Sequence, residues 1–224
     1  MPNQPDLSVA AALAQLTVDL HDAGVEQVAA AVVEFAAQTL AWPFASLVLT
    51  RRAGRVELAA LSDPAIGPLC RGLLTEGSPL LVVARGNDPV VVDYSNDQVQ
   101  PPVGVAAVAH LPLRVKSSPV GALSLYESDS DRVGNERLTI AALLAQHASA
   151  AIAQARHRES ILNAVEARKL IGQAVGILMQ RFDIGADLAF HVLSRHSQHS
   201  NIKLREIAEY VLRHRRLPTP PGSE

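Results

Sequence analysis

The sequence has little cysteine, no early positive charge and no long apolar run, and each shortage excludes a class of protein. Cys70 is the one cysteine, so no intrachain disulfide and no multi-cysteine metal cluster can form. That pattern suits a reducing, cytoplasmic compartment, with Cys70 read as a small buried hydrophobe. No lysine or arginine precedes the apolar run of MPNQPDLSVAAALAQLTVDLHD, which Asp6 and Asp19 also punctuate; this argues against a secretory signal. No window approaches the roughly 18 uninterrupted apolar residues of a spanning helix, so a soluble protein with no membrane partner is expected. G-x-S-x-G, G-x-G-x-x-G and Walker lysine loops are missing too, and no nucleophile stands beside a base, so catalysis is not expected.

What is present is an ordinary globular composition, 48% hydrophobic and 19% charged over 224 residues. That length accommodates two small domains, or one domain with a helical appendage. The formal net charge of −2 hides a split: residues 158–216 carry 10 lysines and arginines against 6 acids, and the acidic excess lies before them. A basic C-terminal segment with four histidines fits an anion-binding module.

Residues 7–40 read as two helices broken near Gly24, the first an N-terminal helix within 1–23. The second places Val25, Val28, Val32, Val33 and Phe35 on overlapping faces suited to packing on a sheet. Strand-like runs follow: ASLVLTR and RVELAAL around an Ala53-Gly54 turn, then VVVD, VAAVAHLPLRV and PVGALSLYES, the last two joined by KSS into a hairpin. Between them, the Pro- and Gly-punctuated stretch 62–89 holds a short helix near PAIGPLCRGLL. This order gives an α+β domain, an antiparallel sheet with flanking helices.

From Glu136 to Ile171 there is neither glycine nor proline. A helix is expected from the Gly134-Asn135 start to about Phe182, on the order of 70 Å at 1.5 Å per residue. Leu143, Leu144, His147, Ala150 and Ala151 would face the sheet or a partner. Polar QARHRES follows, then the apolar stripe resumes with Ile161, Leu162, Val165, Leu170 and Ile171. A helix of that length leads to the expectation of a homodimer through the long helix and the α+β domain. DIGADLAFHVLSRHSQHSN forms a second helix. Asn201 is placed as N-cap of a third, IKLREIAEYVLRHRR, whose Leu204, Ile207, Ala208, Val211 and Leu212 make one apolar face. Its basic end complements the helix dipole, and 217–224 reads as a disordered tail.

ARKLIGQAVGILMQRFDIGADLAFHVLSRHSQHSNIKLREIAEYVL resembles the ANTAR domain along its whole length. The A-x-G-I-L-M run at Ala174–Met179, the Ala189-Phe190 pair, Ser197 and N-x-K-L-R-x-[IV]-A from Asn201 to Ala208 carry the likeness. The resemblance implies an all-α three-helix unit, 156–216, that binds paired RNA hairpins and controls transcription antitermination. Many such sequences have lysine where this chain has Val175. Residues 24–155, ending in HLPLRVKSSPVGALSLYES, are similar to a GAF sensor domain. That likeness implies a possible small-molecule effector of unknown identity. The cyclic-nucleotide signature is not recognisable, and Cys70 has no adjacent histidine as at bilin-attachment sites. A receiver domain is absent, which leaves the GAF-like part as the source of any input.

The resemblance makes Gln173, Ala174, Gly176, Arg181, Arg195, Ser197, Asn201, Lys203 and Arg205 the candidate RNA-binding residues. Gly172 and Gly176 fall on one helical face and each costs about 1 kcal/mol relative to alanine, so they serve either close approach to RNA or a tight helix crossing inside the unit. Gln173 offers a donor and an acceptor to a base edge. Lys203, Arg205, Arg181 and Arg195 could neutralise phosphates, although Arg205 could equally pair with Glu209 at i, i+4. Phe182, Phe190 and Tyr210 could stack a base, two of them being expected in the core. His191, His196 and His199 lack metal-ligand spacing and are expected at the surface. Two other readings remain: a DNA-binding regulator using helix 203–216 in a major groove, and a protein-interaction module.

Overall fold

The computed structural model describes residues 11–218 except 14, 17, 19, 21, 87 and 95–103. Residues 1–10 and the tail from 219 onward therefore lie outside the described residues, while 11–13, 15, 16 and 18 of the expected N-terminal helix are helical. The chain divides into two compact units, Met1–His157 and Arg158–Glu224.

The first unit is built on one five-stranded antiparallel sheet of order β2-β1-β5-β4-β3. Its strands are β1 (Phe44–Thr50), β2 (Val56–Leu61), β3 (Val90–Asp93), β4 (Ala107–Val115) and β5 (Ser118–Glu127). Neighbouring β1, β5 and β4 are buried on both faces, and alternation assigns each side chain to a face. Ala45, Leu47, Leu49, Leu111, Leu113, Leu123 and Leu125 join one core, under α1 (Val25–Gln38) and the beginning of α4 (Asn135–Phe182). Helix α1 contributes Val25, Val28, Val32 and Val33, and its first turn is closed by the Gly24 amide donating to the Gln27 side chain at 2.9 Å. Val48, Val108, Ala122 and Tyr126 face the other way, beneath α2 (Gly67–Gly72) and α3 (Pro79–Ala84). The stretch 62–89 therefore holds two helices where the sequence suggested one. Ser78 caps α3, accepting from the Leu81 amide at 3.2 Å ahead of Pro79, a start signal legible in Ser-Pro.

Close strand approach is possible at one glycine. A β-carbon on Gly121 would lie 2.0 Å from the Val48 carbonyl oxygen, inside any van der Waals contact. The β4–β5 connection is two residues, Lys116 and Ser117, not KSS, with Lys116 at φ 55°. Strand β3 pairs with β4 only over Ala107–His110. Along the rest of that edge Pro112 brings no N–H, and the Arg114 amide donates to Ser149 Oγ of α4 at 3.0 Å.

Helix α4 runs 48 residues without interruption. By length and composition it could cross a membrane, but in the first unit Ala141, Leu144, Ala145, Ala148, Ile152 and Ala155 are buried in the core. Leu144 packs on the sheet as expected, whereas Leu143, His147 and Ala150 point to solvent. The start of α4 is held by charge. Glu127, fully buried at the end of β5, pairs with Arg137, whose guanidinium lies 4.1 Å from the Trp42 ring centroid and donates to the Ala41 carbonyl at 3.1 Å. Arg132 adds a longer contact of 3.6 Å to the same carboxylate.

The second face of the sheet also buries polar groups. Tyr126 hydroxyl lies 2.8 Å from Ser46 Oγ and 3.0 Å from Cys70 Sγ, and His110 Nδ1 lies 2.8 Å from Ser124 Oγ. Cys70 is buried, as expected. Among the described residues His110 Nε2 has no partner; burial disfavours the imidazolium, and its pKa falls from 6.5 to about 4. A histidine whose folded pKa is depressed contributes stability that is complete above about pH 6.5 and lost as pH falls toward 4. Denaturant unfolding followed by the fluorescence of Trp42, the sole tryptophan, is expected to lose on the order of 3 kcal/mol across that window. His110→Gln should remove most of that slope; an unchanged slope would mean that other groups set it.

Candidate nucleic-acid interface

The second unit is three helices: the last part of α4, α5 (Ala186–Ser200) and α6 (Leu204–His214). Each turn between them uses a residue that tolerates left-handed backbone. Asp183 (φ 51°) ends α4, and the Ile184 amide returns to the Met179 carbonyl at 3.3 Å. Asn201 (φ 53°) ends α5. The expected N-cap role of Asn201 is thus corrected: it is the C-cap of the preceding helix, and Lys203 occupies the N-cap of α6 without a side-chain cap bond. Asparagine serves at either end because its short polar side chain suits extended caps and αL alike.

The unit's core is Ala174, Leu178, Ala189, Leu193, Ile207, Ala208 and Val211. Ala174 was expected at the binding face; it is fully buried, so its methyl packs against the other helices instead. The glycines beside it behave oppositely. Gly172, Gln173 and Gly176 are exposed, and a β-carbon built on either glycine would meet nothing within 4 Å. A tight helix crossing within the unit is therefore not why these glycines are there.

The polar candidates are unequal. The Ser197 hydroxyl donates to the Ile202 carbonyl at 2.6 Å and so holds the α5–α6 turn. Arg205 Nε lies 2.9 Å from Glu209 Oε1, and Lys203 Nζ lies 3.9 Å from Glu206; both cations have an acid on their own helix. Arg181 donates to the Arg215 carbonyl at 2.6 Å, closing the end of α6. Arg195 is exposed. Phe182 and Phe190, of which the core was expected to take at least one, are 51% and 47% exposed; Tyr210 is half-buried, its ring 4.3 Å from that of His214. His191 and His199 are at the surface, whereas His196 is half-buried and its Nε2 has no partner among the described residues.

The comparisons with known proteins agree with this division. The GAF domain family matches residues 22–153, and the ANTAR domain family matches 159–212. The chain belongs to the GAF domain family and carries an ANTAR domain. Among solved structures, the GAF domain of a phosphoenolpyruvate-protein phosphotransferase from Coxiella burnetii is 17% identical, with a TM-score of 0.55, over 70% of this chain and 99% of that one. The corresponding Acinetobacter domain gives 13%, 0.52, 69% and 96%. A bacteriophytochrome from R. palustris gives 11%, 0.54, 80% and 43%. At these identities the likeness is one of fold. No curated protein sequence matches the chain significantly. GAF and ANTAR domains are sensory and regulatory, not catalytic, which makes this GAF–ANTAR chain a signal-responsive regulator.

In the GAF domain an open groove of about 420 Å³ lies between β4 and α4, lined by Leu111, Pro112, Arg114, Ala142, Leu143 and Gln146 among others. Arg114 there is already engaged, donating to the Gly86 carbonyl at 2.8 Å and lying 3.7 Å from Asp88. In the ANTAR domain the residues that motif matching passes over are Arg213, Arg215 and Arg216, all exposed. The signal for them was the run RHRR, which reads equally well as dipole compensation at a helix end. With no neighbour to hold a β-carbon off, Gly172→Ala and Gly176→Ala should each stabilise the ANTAR domain by about 1 kcal/mol. Thermal unfolding monitored by circular dichroism checks this, and a lowered midpoint would show a hidden packing role.

Proposed function

We propose that this GAF–ANTAR chain is a cytoplasmic regulator that binds paired hairpins in nascent RNA and favours transcription antitermination. The observation that carries the reading is the Gly172–Gln173–Gly176 face. Two glycines weaken a helix that covers nothing with them in this chain, on the side of α4 away from the three-helix core. Small residues let backbone come close to an RNA loop, whose unstacked bases present hydrogen-bonding edges that the narrow A-form major groove hides. Gln173 supplies a donor and an acceptor beside them. The α6 major-groove reading is weaker, because Lys203 and Arg205 are both matched by glutamates on the same helix.

The chain acts as a homodimer in this reading. Ile161, Leu162 and Val165 are 50%, 62% and 58% exposed along α4, an apolar strip that a partner helix would cover. The GAF domain supplies the input, and a small-molecule effector there would act by favouring one arrangement of the paired helices. Light scattering of the purified chain at micromolar concentration should give the mass of two copies, and Leu162→Asp with Val165→Asp should give one. A strictly monomeric wild type would remove the dimer.

Gel shift against hairpin RNA and matched duplex DNA tests the central claim. Hairpin RNA should be retained and duplex DNA ignored at physiological salt. Val175→Lys restores the family's usual cation and should tighten RNA binding while steepening the salt dependence by about one phosphate contact. Preference for duplex DNA would overturn the antitermination reading.

A further inference from the structure

Four arginines of the second unit gather at one corner. Arg181, in the last turn of α4, donates to the Arg215 carbonyl at 2.6 Å, which ties the end of α4 to the end of α6. Arg215 reverses the chain there at φ 57°, and Arg213, Arg215 and Arg216 project around the junction, all exposed. Among the described residues none of the three has an acidic partner, whereas Lys203 and Arg205 each have one. Beside them stands Phe182, 51% exposed, with the Arg181 guanidinium 5.9 Å from its ring centroid. Arg213, Arg215 and Arg216 lie beyond residue 212, where the ANTAR family match ends, whereas Arg181 and Phe182 lie within it.

We propose that this corner is a second RNA contact, in which Arg213, Arg215 and Arg216 hold backbone phosphates and Phe182 stacks an unpaired base. It rests on the RNA reading above and adds where the phosphate path runs. The chemistry selects the ligand. A guanidinium fork is matched to phosphate oxygens and stays charged at any physiological pH. An exposed ring flanked by cations suits an unpaired base attached to a phosphate backbone, since every base has a face to stack. The carbonyl end of α6 would by itself repel an anion. Here the Arg181 hydrogen bond occupies one of those carbonyls, and three cations outnumber Asp183, the exposed acid next to Phe182. The Tyr210–His214 ring contact holds His214 along α6.

The test uses the full chain and a pool of hairpin RNAs with a fixed stem and a randomised loop, from which a bound hairpin is isolated and its affinity measured across salt. Three exposed side chains change in Arg213→Gln/Arg215→Gln/Arg216→Gln, and circular dichroism checks that the fold persists. The expected result is a salt slope smaller by about 2 to 3 and a loss of at least about tenfold in affinity at physiological salt. Phe182→Ala should weaken binding by about 10- to 100-fold with the slope unchanged, and Phe182→Trp should restore it. Lys203→Ala/Arg205→Ala should alter the slope by less than the triple variant does. If the folded triple variant keeps the wild-type affinity and slope, the corner is overturned while the RNA reading stands. Phe182→Ala binding as well as wild type overturns the stacking role. If the wild-type chain retains no hairpin from the pool, both fail together.

Discussion

The buried carboxylate of Glu127 is the constraint from which much of the arrangement follows. A charge with no exposed surface is tolerable only when paired and hydrogen-bonded, and here the pairing is supplied by Arg137 from the first turn of α4, with Arg132 at longer range. The same guanidinium lies over Trp42 and bonds the carbonyl of Ala41, a residue held at φ 52°. One ion pair thus fastens the end of β5, the α1–β1 connection and the beginning of the long helix. Removing one partner of such a pair costs about 3–5 kcal/mol, so the helix start is among the most firmly specified points of the GAF domain.

From that start, a single helix must satisfy two different cores with one sequence. In the first unit its buried stripe is mostly alanine, Ala141, Ala145, Ala148 and Ala155 with Leu144 and Ile152 between them, which lets it sit close on the sheet. In the second unit Ala174 and Leu178 do the same work against α5 and α6. Between these stripes the aliphatic residues are exposed and the polar ones are mixed in. Neither the hydrophobic stripe nor the charge pattern is therefore continuous along the helix. Each portion is matched to the environment it meets.

Much of the fold was legible because it rests on local pattern. The absence of glycine and proline over Glu136–Ile171 announced the helix, and apolar strand-like runs bounded by turn residues announced β1, β4 and β5. What escaped depended on partners distant in sequence. A helical period shows that Phe182 and Phe190 share faces with other apolar residues; it does not show whether anything covers those faces. Asn201 satisfies the rules for both ends of a helix, and only the backbone at φ 53° decides between them. Ala174 matched a binding motif yet fills the core, since a motif records which residues recur and not which way each one points. Arg181 was ranked with the phosphate ligands on charge alone, before its bond across to the Arg215 carbonyl was visible. The free arginines after residue 212 were dismissed as helix-end chemistry because the same residues serve both purposes.

The treatment of the β4 edge has a consequence for how copies of this protein can meet. Strands grow into ribbons, swapped dimers and fibrils by offering unpaired amides to one another. Beyond His110 this edge offers a proline with no amide hydrogen and an Arg114 amide already given to Ser149. Ser149 belongs to α4, so the helix that carries the apolar stripe also seals the sheet beside it. Self-association at this margin is thereby steered from backbone to side chains, from a contact any extended peptide could imitate to one that depends on the particular residues a helix displays.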